Sequence, residues 1–245
     1  MTWLDRILSE KKSEEDHQWP LSLPNVRIVS IHVEKTAGTS FYEDLKKIYG
    51  EKKVVRVDTH QHDQLAVNRE YVFNTKTLQE AEVLHGHIKK DQLEHYFELP
   101  KDIQCITWIR EPGERVLSSY NYLSAILKEK VDPKKNPDLL QKLKRNFGEY
   151  LYRPEARDQM AASLEGFRLD EFSFIGLTHR YALDMQLLAE EFSWTFVPHP
   201  VKQNVSQKEK TDLSPEEKSL LRQVNPRDYR LYEEVLRRRG ISETG

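Results

Sequence analysis

The 245-residue chain is long enough to bury a sizeable core, and its 38% hydrophobic and 32% charged residues describe a globular protein with a heavily charged surface. Its 38 Lys+Arg nearly cancel 40 Asp+Glu, and a formal net charge of −2 argues against a general nucleic-acid coat while leaving room for one local basic pocket. Cys105 is the only cysteine, which excludes an intrachain disulfide, and no stretch is long and apolar enough to cross a bilayer.

Met1–Pro20 carries Asp5, Arg6, Glu10, Lys11, Lys12, Glu14, Glu15 and Asp16, a density of charge at odds with the apolar run of a signal peptide. A cytoplasmic location is therefore expected. Residues 1–25 read as a short helical lead-in closed by Pro20 and Pro24, and residues 26–245 as one domain.

Val26–Val33 is β-branched and mostly apolar, the pattern of a strand buried on both faces. After it Lys35-Thr36-Ala37-Gly38-Thr39-Ser40 is small and polar, with Thr39 or Ser40 placed to cap a helix over Phe41–Tyr49. Val54–Asp58 and Ala81–His85 are short strand candidates, and His85-Gly86-His87 closes the second. The apolar run Ile103–Ile109 ends in Arg110, and Pro112 suits the first turn of a helix running to Lys128. Residues 130–170 turn to charged helical periodicity, with Leu139, Leu140, Leu143, Phe147 and Leu151 on one face. Strands over Phe172–Leu177 and Thr195–Val197 flank a helix over Thr178–Phe192. Ser214 with Glu217 forms a capping box opening two terminal helices, split at Asn225-Pro226. Strands alternating with helices predict an α/β fold with a central, mostly parallel sheet.

Two segments carry chemistry. A strand running through Lys35–Ser40 into a helix offers unpaired N–H groups, a positive dipole end, hydroxyls from Thr36, Thr39 and Ser40, and the mobile charge of Lys35. Gly38 lets the backbone approach an anion closely, and the whole is suited to a phosphate or sulfate. It is not GxxxxGK[ST], because the lysine precedes the glycine. An ordinary capped helix start fits the same spacing. Arg110 emerges at the carboxyl end of a strand, where ligands bind in open α/β sheets, and Ser118 follows on the next helix. Arg115 pairing with a nearby acid is the plainer reading of its charge.

Side by side the two segments become specific. His32-Val33-Glu34-Lys35-Thr36-Ala37-Gly38-Thr39-Ser40 resembles the 5′-phosphosulfate loop of carbohydrate sulfotransferases, usually H-x-P-K-T-A-G-T-S. Arg110-Glu111-Pro112-Gly113-Glu114-Arg115-Val116-Leu117-Ser118-Ser119-Tyr120 resembles their 3′-phosphate motif, R-D-P-x-x-R-x-x-S-x-Y. The heparan sulfate 2-O- and 6-O-sulfotransferases are the most similar branch. Looser likeness continues through Phe174–Arg180, Lys202–Ser206 and Asp228–Tyr232, covering residues 26–240.

The resemblance implies a three-layer, P-loop-like fold and sulfuryl transfer from 3′-phosphoadenylyl sulfate (PAPS) to a hydroxyl of a glycan or other small acceptor. It assigns Lys35 to the bridging oxygen, the Thr36–Ser40 loop (Ala37 and Gly38 included) to the 5′-phosphate, and Arg110 with Ser118 to the 3′-phosphate. Its H-G-H segment supplies a base, and either His85 or His87 fits that role here, since strand alternation turns both the same way with Gly86 leaving room for substrate. No metal is implied. Two residues depart from the pattern. Glu34 replaces proline, and an extended run would point it away from Lys35, so weakened anion binding is expected. Glu111 replaces aspartate at equal charge. A P-loop kinase and a non-catalytic nucleotide- or glycan-binding member are the alternatives, and no apolar run ending in Asp stands out to hold magnesium for the former.

His32 reads as structural, Trp108, Phe172 and Phe174 as core, His60-Gln61-His62 as a solvated loop and Arg237-Arg238-Arg239 as a solvated helix end.

Overall fold

A computed structural model describes residues 19–59, 64–71, 73–130, 146–195 and 211–242, with side chains 126–130 excepted. The expected helix within residues 1–18, the His60-Gln61-His62 loop, the Leu139, Leu140 and Leu143 face, all but the first residue of the Thr195–Val197 strand, and the Lys202–Ser206 segment lie outside these residues.

Among the described residues six strands build the central sheet: β2 (Ile28–Ile31), β3 (Val54–Thr59), β4 (Leu65–Val67), β5 (Val83–Gly86), β7 (Gln104–Ile109) and β8 (Phe174–Leu177). A separate parallel pair joins β1 (Leu21–Ser22) to β6 (Phe97–Glu98). The sheet order is β4-β3-β5-β2-β7-β8, parallel except for the antiparallel edge pair β3–β4. Every residue of β2 is buried, as its β-branched composition predicts for a central parallel strand.

Helices α1 (Gly38–Tyr49), α2 (Thr75–Gln79), α3 (Lys90–Tyr96), α4 (Pro112–Lys130), α5 (Phe147–Tyr150), α6 (Gln159–Ser163), α7 (Tyr181–Glu191), α8 (Pro215–Val224) and α9 (Pro226–Arg238) surround it. Alternating residues of the strands feed two cores. Ile28, Val54, Val83, Ile106 and Trp108 pack with Phe41 and Leu45 of α1 and Met185 and Leu188 of α7. Val29, Ile31, Val55, Val57, Leu84 and Ile109 pack on the other face with Leu93 of α3, Met160 of α6 and Val235 and Leu236 of α9. The result is three layers, with the sheet in the middle. Leu23, within the expected lead-in, is fully buried in the second core.

Two carboxylates, the buried Asp228 and the half-buried Asp158, knit the helices. Asp228 of α9 accepts from the Met160 and Ala161 amides of α6, while Asp158 accepts from the Arg227 and Asp228 amides of α9. Each helix start is thereby capped by a residue from the other. Arg115 of α4 is fully buried, with Nε 3.6 Å from Asp228 and a guanidinium nitrogen donating to the Ala156 carbonyl. Its partner is thus an acid remote in sequence. The capping box at Ser214 and Glu217 is present, and Glu111 accepts from the Glu114 amide at the start of α4, so the longer acid serves as that helix's cap.

Three expectations change. Helix α1 begins at Gly38, not Phe41, and neither Thr39 nor Ser40 caps it: Ala37 is the cap residue, left-handed at φ 73°, with no side-chain bond. The segment Glu34–Ala37 is a turn, not an extended run, so alternation does not separate Glu34 from Lys35. Arg239 is not solvated; it grips the buried Asp184 carboxylate through two nitrogens at 2.6 and 2.8 Å, while Arg237 and Arg238 remain at the surface on Glu234.

Candidate active site

The chain leaves β2 toward β3 on one side of the sheet and leaves β7 toward β8 on the other. The crevice between the carboxyl ends of β2 and β7 is therefore where the strand order reverses, the usual ligand position in an open α/β sheet. The loop after β2 holds Lys35, and the residue after β7 is Arg110. A cleft of about 440 Å³ opens there, lined by Glu34, Lys35, Ala37, Gly38, Thr39, Ser40, Arg110 and Ser118 among others. Another cavity, lined by Pro24, Arg27, Lys52 and Glu82, lies at the amino ends of the strands, away from these residues.

The loop is shaped by two non-glycine residues in left-handed backbone, Lys35 at φ 66° and Ala37 at φ 73°. That conformation is uncommon for residues with a Cβ and is found where function over-determines the backbone. It turns the chain so that α1 starts at the cleft with Thr39 and Ser40 in its first turn, their hydroxyls uncommitted to capping. Thr36 departs from the expected set: it is fully buried, and its hydroxyl donates to the Val33 carbonyl at 2.8 Å, fastening the turn instead of facing the cleft. Gly38 also does something other than admit an anion. A Cβ there would meet the His32 ring at 1.9 Å.

Lysine 35 is half-buried, with its ammonium 3.6 Å from the centroid of the Tyr122 ring. Burial lowers its pKa, opposed by Glu34 and assisted by Arg110. Arg110 is held by Glu114, Nε to Oε2 at 3.1 Å. Two arginines unmarked in the sequence join them: Arg56 of β3 and Arg69 of the turn after β4. Lys35, Arg56, Arg69 and Arg110 face one anion in the lining, Glu34. A charged residue inside the apolar strand Val54–Thr59 was a usable signal for Arg56; nothing local marked Arg69. Thr178, in the segment after β8, donates to the Ile109 carbonyl at 3.0 Å and completes the floor.

The two base candidates separate. His85 is fully buried under Tyr42 and His32, its Nδ1 2.9 Å from Ser30 Oγ, and burial holds its pKa well below the usual range. It does not line the cleft. His87 does, standing just past the end of β5 near Arg56 and Glu34. Its amide donates to Asp58 Oδ1, its carbonyl accepts from Thr59, and its ring stacks on His32 at 4.2 Å. A ring N–H of His87 donates to the His32 backbone, which favours the protonated form and, when the ring is neutral, leaves its other nitrogen an acceptor. Burial outweighs this and the Asp58 and Glu34 carboxylates, so the pKa of His87 falls and the ring is neutral near pH 7. Gly86 leaves no space for substrate, because a Cβ there would lie 1.7 Å from the Val57 carbonyl oxygen. His32 is buried between the two histidines, and burial with the neighbouring His87 pushes its pKa down to about 3. Cys105 is buried and its thiol pushed up to about 12.

Among the described residues, no cluster of His, Cys, Asp or Glu is arranged to hold a metal ion, and no helix is long and apolar enough to cross a membrane. The model of the sulfotransferase family matches residues 22–233. The crystal structure of a sulfotransferase from Alicyclobacillus acidocaldarius superposes with a TM-score of 0.47 at 13% identity, over 86% of this chain and 96% of that one. Among curated proteins none matches.

Proposed function

The chain belongs to the sulfotransferase family, and from that premise we propose that it transfers a sulfuryl group from PAPS to a hydroxyl, with His87 as the base. The observation that carries the reading is the gathering of Lys35, Thr39, Ser40, Arg110, Ser118 and His87 on one cleft at the sheet's reversal point. The donor chemistry fits what lines that cleft. Helix N–H groups, the hydroxyls of Thr39, Ser40 and Ser118, and four cations, of which Arg56 is paired with Asp58 and Arg110 with Glu114, suit a nucleotide bearing two phosphates.

PAPS supplies a sulfuryl group already joined to a good leaving group, its 5′-phosphate. The residues divide the remaining labour. The Ala37–Ser40 turn and helix start hold the 5′-phosphate, and Arg110 with Ser118 holds the 3′-phosphate. His87 takes the acceptor's proton on its free ring nitrogen as the acceptor oxygen bonds to sulfur. The bond from sulfur to the bridging oxygen breaks, and its electron pair leaves on the 5′-phosphate, where Lys35 neutralises the gathering charge. Lys35 reaches that position by exchanging the Tyr122 ring for the phosphate.

Calorimetric titration with adenosine 3′,5′-bisphosphate and with ATP–Mg²⁺ tests the donor. Tighter binding of the bisphosphate is expected, and preference for ATP would sink the reading in favour of a kinase. Glu34 in the same lining favours a second reading, a binding-only member. Bisphosphate binding with no transfer to any hydroxyl acceptor would select it.

A further inference from the structure

His32 and His87 have two sides. Besides the donor cleft they line a second cavity of about 360 Å³, which is bounded by Ile31, Thr59, Ile88, Lys89, Gln92, Gln159, Ala162 and Ser163. We propose that this cavity is the acceptor site, and that it selects an uncharged, hydroxyl-rich molecule such as a neutral sugar. The proposal rests on the sulfuryl-transfer reading above.

Position is the first argument. Displacement at sulfur needs the attacking and leaving oxygens on opposite sides of the group transferred. A base standing in the partition between two cavities meets that need, taking the proton from one side while the nucleotide occupies the other. His87 is in that partition and His85 is not.

The lining is the second. The donor cleft gathers four cations, whereas the second cavity offers amides and hydroxyls between apolar patches. Lys89 is its one charged residue among those described, and its ammonium lies 3.5 Å from the Glu165 carboxylate. A carboxylated or sulfated chain is matched by a concentration of positive charge, which one surface lysine beside a glutamate does not supply. A sugar needs paired donors and acceptors beside apolar faces. One amide here is fixed in that role. Gln159 Nε2 is held by the Pro154 and Arg157 carbonyls at 2.8 and 3.0 Å, which fixes its amide and leaves its oxygen to accept. Ser163 donates to the Gln159 carbonyl and the Thr59 hydroxyl to the Gln92 side-chain oxygen, so their oxygens keep lone pairs for sugar hydroxyls.

The test uses the full chain and PAPS with two acceptor sets: neutral di- and trisaccharides (maltotriose, cellobiose, lactose, xylobiose) and an unsulfated uronate-containing tetrasaccharide. Bisphosphate affinity is measured alongside. The expected result is a kcat/KM at least tenfold higher for the best neutral sugar. In Gln159→Leu and Ser163→Ala its KM rises about fivefold or more, as loss of hydrogen bonds implies, with bisphosphate Kd within twofold of wild type. Preference for the uronate, transfer to neither set by a protein that binds bisphosphate, or unchanged KM in both folded variants overturns the inference and leaves the donor assignment standing. Failure to bind bisphosphate overturns the donor reading and takes the acceptor site with it.

Discussion

Gly38 sits in a loop where glycine is ordinarily explained by the approach of an anion, yet its hydrogen points at a histidine. In Gly38→Ala the new methyl carbon would lie 1.9 and 2.2 Å from two atoms of the His32 ring. That ring has little room to retreat, being buried and stacked on His87 at 4.2 Å and near His85 at 5.0 Å. Overpacking of this kind costs about 1–3 kcal/mol. Alanine also gains up to about 1 kcal/mol over glycine as a helical residue, less at a first turn. The net is a loss of about 1–2 kcal/mol, or roughly 3–6 °C in Tm for a chain of this length. In a His32→Ala background the clash is gone and only the helical gain remains, so the same change should stabilise. The assay is urea unfolding of wild type, both single variants and the double variant. The reasoning predicts a coupling energy above about 1 kcal/mol, with the effect of Gly38→Ala reversing sign between backgrounds. Additivity within about 0.5 kcal/mol, or a Gly38→Ala protein no less stable than wild type, would refute it and return Gly38 to a purely anion-related role.

Other outcomes follow from the same geometry. Lys35→Ala should abolish measurable transfer while leaving Tm within about 2 °C, since the ammonium is half exposed and packs on one ring; Tm is read by differential scanning fluorimetry. His87→Ala should lower kcat by about 10²–10⁴-fold with little change in bisphosphate affinity, whereas His85→Ala should act mainly through stability, because its ring is buried away from the cleft. The acid limb of kcat/KM should lie below the ordinary histidine pKa, since burial lowers that of His87 and the base works only when neutral. Stability should fall with acid too. His32 has a folded pKa of about 3 against about 6.5 unfolded, so its contribution is complete above about pH 6.5 and is lost as pH drops toward 3. Between pH 7.5 and 5 the share of His32 in that loss is about 2 kcal/mol in urea unfolding, so the loss should be smaller by about that much in His32→Ala, with the lowered His85 and His87 contributing to what remains. Arg115→Ala should cost about 3–5 kcal/mol, because it strands the Asp228 carboxylate in the core, and should weaken bisphosphate binding as α4 loosens.

What the sequence disclosed was whatever is encoded contiguously. The strand Ile28–Ile31, the Lys35–Ser40 loop, Arg110 at a strand end and the Ser214 capping box are each written in consecutive residues. What it concealed depends on register and on partners far along the chain. Strand alternation treats His85 and His87 alike, but Ser30 of β2 and Tyr42 of α1 cover the first, while the second, just past the end of β5, lines the cleft. Left-handed backbone at Lys35 and Ala37 has no compositional mark, since neither is glycine, and it moved the helix start to Gly38. Arg69 reaches the cleft through an antiparallel edge strand too short to register as a pattern. Glycine at 38 and 86 was visible, but its reason was a neighbour's atom in each case.

Asp228 binds Arg115 of the helix that carries Ser118, and it also caps the helix that carries Gln159 and Ser163. Donor wall and proposed acceptor wall thus hang from one carboxylate. A lineage exploring new acceptors could not slide the Gln159 helix without disturbing the grip on the nucleotide. Diversification is channelled into exchanging side chains on a fixed frame, with Asp158, Asp228 and Arg115 changing together or not at all. For the same reason, grafting a foreign acceptor loop between Tyr150 and Ser163 would carry the Asp158 cap of the carboxyl-terminal helix away with it.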